Sequence, residues 1–384
     1  MKNKSNIEVD SIKISSDLTE DPPLEDKGKK PKKHLTKKQK IIIVISVVLA
    51  LAIGASVFAY FKFFYKVKKR DLNVKTVNVE PLKPKTLPSP LTGVEVSPDL
   101  AKRPIISVVI ENLYPNARPQ SSLTSAGVVY EALAEGGITR YLAVYGDQQP
   151  KDIGPVRSLR TYFVDYGMEY NAPIMHAGGN SDALDLANQL GMKDLNSFWF
   201  DDYFRRINTK FAPHNLYIYS ENLDKLLKDK GFNNPPDFPV WQRKDDTPSP
   251  SPNAANISID FSYADYRASY KYNPDSNDYS RFLRNVADVD ANTDSQIKAK
   301  NIAVIYIPTS YGITKAGEST VIMKTIGSGK LLMFMDGTVI EGTWQKDGHS
   351  ARTKFFDANG SEIKLNKGQT WVEVVPLGKA VTYN

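Results

Sequence analysis

The sequence predicts a membrane-anchored protein in which a mixed α/β domain is followed by a smaller, mainly β domain. Three observations carry that prediction. A run that begins at Ile41 and ends at Phe61 holds 21 residues without a charge, enough at about 1.5 Å per helical residue to cross the hydrocarbon core of a bilayer. Between residues 104 and 244, short β-branched or aromatic runs alternate with segments of helical spacing. From residue 257 onward hairpin signals recur, and helical periodicity is nearly absent after residue 300.

Residues 1–40 are polar, lysine-rich and poor in aromatics, a composition that predicts a disordered tail. Eight lysines lie at 27–40, against Lys62, Lys66, Lys68, Lys69 and Arg70 after the apolar run, so the tail is expected in the cytoplasm and the later domains outside it. Small residues near Ala55 and Ala59 make a cleaved signal peptide the rival reading. The long polar lead and the length of the run favour an uncleaved anchor at 41–61. Residues 62–103, with Pro81, Pro84, Pro88, Pro90 and Pro98, read as an extended stalk.

Within 104–244, residues 105–110, Val128-Val129-Tyr130, Tyr141-Leu142-Ala143-Val144-Tyr145 and 172–175 are expected strands. Leu159, Tyr162, Phe163, Tyr166 and Tyr170 share one helical face. After Gly178-Gly179, Ser181 or Asp182 is expected to cap a helix that Gly191 stops, and a further helix runs from Glu221 to a stop at Gly231. Residues 245–256, with prolines alternating with serines, read as the linker between domains. In 257–384, Asn273-Pro274-Asp275, Asp336-Gly337 and Asn359-Gly360 mark hairpins.

The formal charge of +7 is not spread evenly. Residues 1–70 carry 16 Lys+Arg against 7 Asp+Glu, which leaves 34 against 36 for the remainder, so the basicity belongs to the anchor and no nucleic-acid partner is expected. With no cysteine, disulfides, thiolate catalysis and lipid attachment through a thiol are excluded for this sequence.

Two histidines stand in distinctive settings. His176 is placed at the end of an expected strand, before a glycine turn and a helix N-terminus, where ligands gather in α/β folds; the alternative is a ring bonded to its own turn. His214 lies between Pro213 and Asn215, and if the two rings met they could share acid–base work. Arg118, Arg140, Arg157 and Arg160 offer guanidinium forks suited to carboxylate or phosphate, unless they pair internally with Glu111, Glu131 and Glu135. The candidate ligand-binding set is therefore these four arginines with Glu131, Glu135, His176, Asn180, His214 and Asn215. His-Glu-x-x-His spacing, a phosphate loop, a dinucleotide fingerprint and a Gly-x-Ser-x-Gly elbow are all missing from the sequence, so no metal or cofactor is expected. Trp344 and Trp371, each beside glycine, suit either a sugar platform or a small β core, and the core is the expected role.

Taken in order, Ala117-Arg118-Pro119-Gln120, Val129-Tyr130-Glu131, Glu135-Gly136-Gly137-Ile138-Thr139-Arg140, Gly154-Pro155-Val156-Arg157-Ser158, His176-Ala177-Gly178-Gly179, Pro213-His214-Asn215 and the closing run from Gly368 to Pro376 resemble the YerB-like family of bacterial envelope proteins. The resemblance covers about residues 100–378. It implies an α/β N-terminal part and a smaller C-terminal part, an envelope location and no defined activity; many members are lipoprotein candidates. This chain departs from the pattern in lacking a lipidated cysteine and in carrying Gly127 where an aspartate is usual. The expected ligand is polar or anionic envelope material such as a peptidoglycan fragment, with an envelope hydrolase using His176 and a structural scaffold as the alternatives.

Overall fold

Strand positions follow the β-branched and aromatic runs. The computed structural model describes residues 36–64 and 85–384; the tail over 1–35 and the stalk over 65–84 lie outside the described residues. The helix α1 (Lys37–Phe64) contains the expected span and lies in a unit separate from the rest of the fold, long and apolar enough to cross a membrane and with its large apolar side chains from Ile41 to Phe61 exposed.

Downstream, ten strands form the central sheet: β1 (Ile106–Glu111), β2 (Val128–Leu133), β3 (Thr139–Tyr145), β4 (Ile174–His176), β5 (Asp194–Asn196), β6 (Asn301–Ile307), β7 (Gly327–Met335), β8 (Thr338–Lys346), β9 (Lys354–Asp357) and β10 (Thr370–Pro376). Their order is β9-β8-β7-β6-β10-β2-β3-β1-β4-β5. β1 to β3 and β6 are buried nearly throughout, as expected of strands covered on both faces. Helices α2 (Thr161–Met168) and α3 (Ser181–Gln189) pack against each other, and α4 (Ser220–Asp229) packs on the strand Leu216–Tyr219. A second sheet is built from Asn256–Asp260, Arg267–Asn273, Asp278–Leu283 and Val381–Tyr383 with shorter strands at its edge. The mixed α/β class, rich in strands, is the one the sequence predicts.

Four expectations need correction. From residue 85 the presumed stalk belongs to the fold: Leu87–Pro88 pairs with Glu95–Val96, Leu91 is buried, and Ser89 and Thr92 both donate to Asp147. Proline content hid this, because one apolar side chain and two hydroxyls are enough to dock a segment whose average composition reads as extended. The segment 245–256 is no free linker either. The Thr247 N–H donates to Asp336 Oδ1 at 3.2 Å, Asn253 and Ala254 donate to Gly337 O, and Ala254 is fully buried. Nor does the central sheet stop at that segment, since β10 lies between β6 and β2 and runs parallel to both. Finally, the cap of α3 is Asn180, whose side chain accepts from the Ala183 N–H at 3.0 Å.

The hairpin between β7 and β8 forms at Asp336-Gly337, where φ values of 56° and 76° give the twist that matches flanking strands. Trp344 and Trp371 are buried, so they serve the core.

Candidate functional site: a cationic cleft beside β1

β1 ends at Glu111, and its last residues gain a new neighbour from the segment after Gly154. The Glu111 N–H donates to Pro155 O and the Arg157 N–H to Val109 O, both at 2.9 Å, which brings Arg157 alongside the Glu111 carboxylate. Glycine is required at 154 because a Cβ would lie 2.6 Å from the Tyr217 ring. Arg157 Nε then sits 3.1 Å from Glu111 Oε1, and His214 Nδ1 sits 2.9 Å from Glu111 Oε2. The carboxylate is almost wholly buried, whereas the His214 side chain keeps 13% of its surface. Among the described residues, His214 Nε2 meets no hydrogen-bond partner.

The loop carrying His214 is shaped by Asn215. Its Oδ1 accepts from Arg206, while its Nδ2 donates to Ile207 O at 3.0 Å and Lys210 O at 3.2 Å, so one side chain ties both ends of the loop. That loop walls a cleft of about 750 Å³ also lined by Arg118, Asp152, Tyr217 and Asn292. Phe211 stands bare on it, 88% exposed.

Two cations line this cleft without an acidic partner. Lys210 Nζ donates to Ala117 O at 2.6 Å and Pro119 O at 2.7 Å, and Arg118 donates to Asn112 Oδ1 at 2.8 Å and Asp265 O at 2.9 Å. Neither forms an ion pair among the described residues. Burial pushes the Lys210 amine down to about 8 despite the opposing charge of Glu111. Neutral oxygens orient both groups, and among the described residues no carboxylate bonds to either, which suits them to an anion.

Of the residues singled out in the sequence, the cleft thus gathers Arg118 and His214, with Arg157 and Asn215 supporting them. The others lie elsewhere. His176 is fully buried, with Nδ1 2.7 Å from Gly178 O and Nε2 2.9 Å from Asp194 Oδ1, so neither nitrogen is left for a substrate and the expected acid–base role falls away. Asn180 caps α3 and donates to Thr320. Arg160 and Glu135 form a bidentate pair at 2.5 and 2.6 Å. Burial raises Glu135, but the bonds and charge of Arg160 more than offset it and hold the carboxyl below its ordinary value. Arg140 donates to Ser158 O at 2.8 Å, and burial, reinforced by the charge of Arg160, brings its guanidinium down to about 10.

Glu131 belongs to a closed cluster. It accepts from Thr139 Oγ1 at 2.5 Å and from Arg281, which is fully buried, also donates to Asp288, and stacks 4.2 Å from the Trp371 ring. Glu373 lies opposite Glu131 on β10 and accepts from Tyr270. Burial raises Glu373 well above the usual carboxylate range, and the adjacent Glu131 adds to it. This arrangement fixes the sheet to the second half of the chain and leaves no room for a ligand.

Sequence reasoning missed Glu111 as the partner of His214 and missed Lys210 altogether. The available signal was position, because Lys210 lies four residues before His214 in the same loop.

Comparison with known proteins bears on the whole of this unit. Residues 91–233 match the family described as protein of unknown function (DUF3048), N-terminal domain, and residues 257–372 match its C-terminal domain. The Bacillus subtilis (strain 168) protein named "Putative lipoprotein YerB" is 31% identical over 301 residues, covering 76% of this chain and 87% of that one. The chain belongs to this family. The crystal structure of the YerB protein from Bacillus subtilis has a TM-score of 0.68 and 28% identity, covering 77% of this chain and 99% of the other. The two family segments meet across residues 234–256, close to the expected boundary, even though the central sheet draws strands from both.

Proposed function

We propose that this is a single-pass cell-envelope protein whose folded unit binds a polar or anionic envelope ligand, such as a peptidoglycan fragment, in the cleft beside β1. The observation that carries the reading is that Lys210 and Arg118 are held by neutral carbonyl oxygens rather than by carboxylates, at a cleft large enough for several sugar or peptide units. Phe211, exposed on the cleft wall, supplies an apolar face on which a sugar ring can stack.

The lysine excess before α1 supports a cytoplasmic N-terminus and a folded unit on the outer side, with the helix taking the place of a lipidated cysteine as anchor. Calorimetric titration of the detergent-solubilised chain with soluble muropeptides and acidic glycans tests the binding. Saturable heat whose affinity falls about tenfold in Lys210→Met supports it, and no heat with any of these ligands rejects it. Protease added to intact cells tests the topology; the reading requires cleavage of the folded unit while the tail survives.

A further inference from the structure

A cleft that only holds an anion has no use for an oriented imidazole with a free nitrogen. His214 is held through Nδ1 by Glu111, and Glu111 is fixed from its other oxygen by Arg157, so the ring cannot swing away without leaving a buried carboxylate short of a partner. The opposite nitrogen, Nε2, meets no partner among the described residues. An imidazole oriented by a buried carboxylate is the general-base half of a hydrolytic device. The acid half is close by. Lys210 commits two N–H groups to Ala117 O and Pro119 O, which leaves a third for a ligand, and it lies near enough to Glu111 to feel that charge.

We propose that the cleft hydrolyses a phosphodiester, with His214 Nε2 taking a proton from the attacking water and Lys210 Nζ giving one to the departing alcohol oxygen. The inference rests on the anion-binding reading of the same cleft. A bond forms between the water oxygen and phosphorus as the phosphorus bond to the alcohol oxygen breaks; the products are a phosphomonoester and an alcohol. Solvent exchange then returns the imidazolium and the neutral amine to their starting states. A diester carries its negative charge before and during displacement, which suits side-chain cations such as Lys210 and Arg118. Acyl transfer instead creates a new oxyanion that calls for a pair of poised N–H donors.

The same chemistry occurs in anionic polymers and in lipid headgroups, so the test uses both. Detergent-solubilised full-length chain is assayed with bis(4-nitrophenyl) phosphate, poly(glycerol phosphate) and phosphatidylglycerol vesicles, and dimethyl phosphate binding is followed by calorimetry. Turnover is expected on at least one substrate, and whether polymer or vesicle is consumed identifies the source. His214→Gln should lower kcat at least about 100-fold with KM within about threefold. Lys210→Arg, which keeps the charge, should bind dimethyl phosphate normally yet lose kcat at least about tenfold. Dimethyl phosphate binding with no turnover on any substrate overturns the hydrolysis and leaves the binding reading standing. Unchanged kcat in His214→Gln also overturns it, and failure to bind any anion removes both.

Discussion

The cluster around Arg281 and the cleft around Lys210 place cations close to carboxylates on the same sheet, yet they do opposite things. At Arg281 the charge is matched by Glu131 and Asp288, the guanidinium lies against Trp371, and no surface remains. At Lys210 and Arg118 the partners are carbonyl oxygens, and the charge faces a cleft. The lesson is that the kind of acceptor, rather than the number of hydrogen bonds, separates a cation spent on the fold from one available to a ligand.

The comparison breaks most visibly at Arg281. Arg281→Met leaves buried carboxyls without their counter-charge and should destabilise the folded unit by about 3–5 kcal/mol in guanidinium denaturation. Adding Glu131→Gln should recover part of that loss. At the cleft the expectation reverses: Lys210→Met should weaken anion binding about tenfold, or about 1.4 kcal/mol, while shifting stability by less than about 1 kcal/mol. A loss of stability at Lys210 as large as that at Arg281 would erase the distinction.

Acidity sharpens it further. Burial lowers Lys210 to about 8, so in the fold the amine is charged below that pH and neutral above it. Anion affinity should therefore fall as pH rises from 7 to 9, read by calorimetry at constant ionic strength, and Lys210→Arg should flatten that profile. The smallest effect belongs to a residue outside both regions. Asn180→Ala removes the cap of α3 and should cost about 1 kcal/mol in thermal unfolding with no change in ligand affinity.

Legibility in the sequence followed the range of the interactions involved. The strand at 105–110 and the turn at Asp336-Gly337 were readable because their determinants are adjacent residues. Glu131 could not be assigned, because its partner Arg281 lies 150 residues away in the chain. His176 presented the same motif whether open or closed, and only Asp194, brought in by β5, closes it. Lys210 escaped notice because a loop lysine has no periodicity to mark it, and its significance comes from two carbonyls at Ala117 and Pro119. The closing of His176 and the pairing of His214 with Glu111 are thus both consequences of tertiary neighbours.

The position of β10 has a consequence for how the molecule comes into being. This strand, made after both of its neighbours, fills the gap between β6 and β2 and hydrogen-bonds to both. Until it arrives, β2 and β6 each present a bare edge, and the two portions of the chain have no shared sheet. A chain made from its N-terminus onward therefore cannot complete this sheet in stages. Two unpaired edges, open to pairing with other copies, persist until residue 376 has been added.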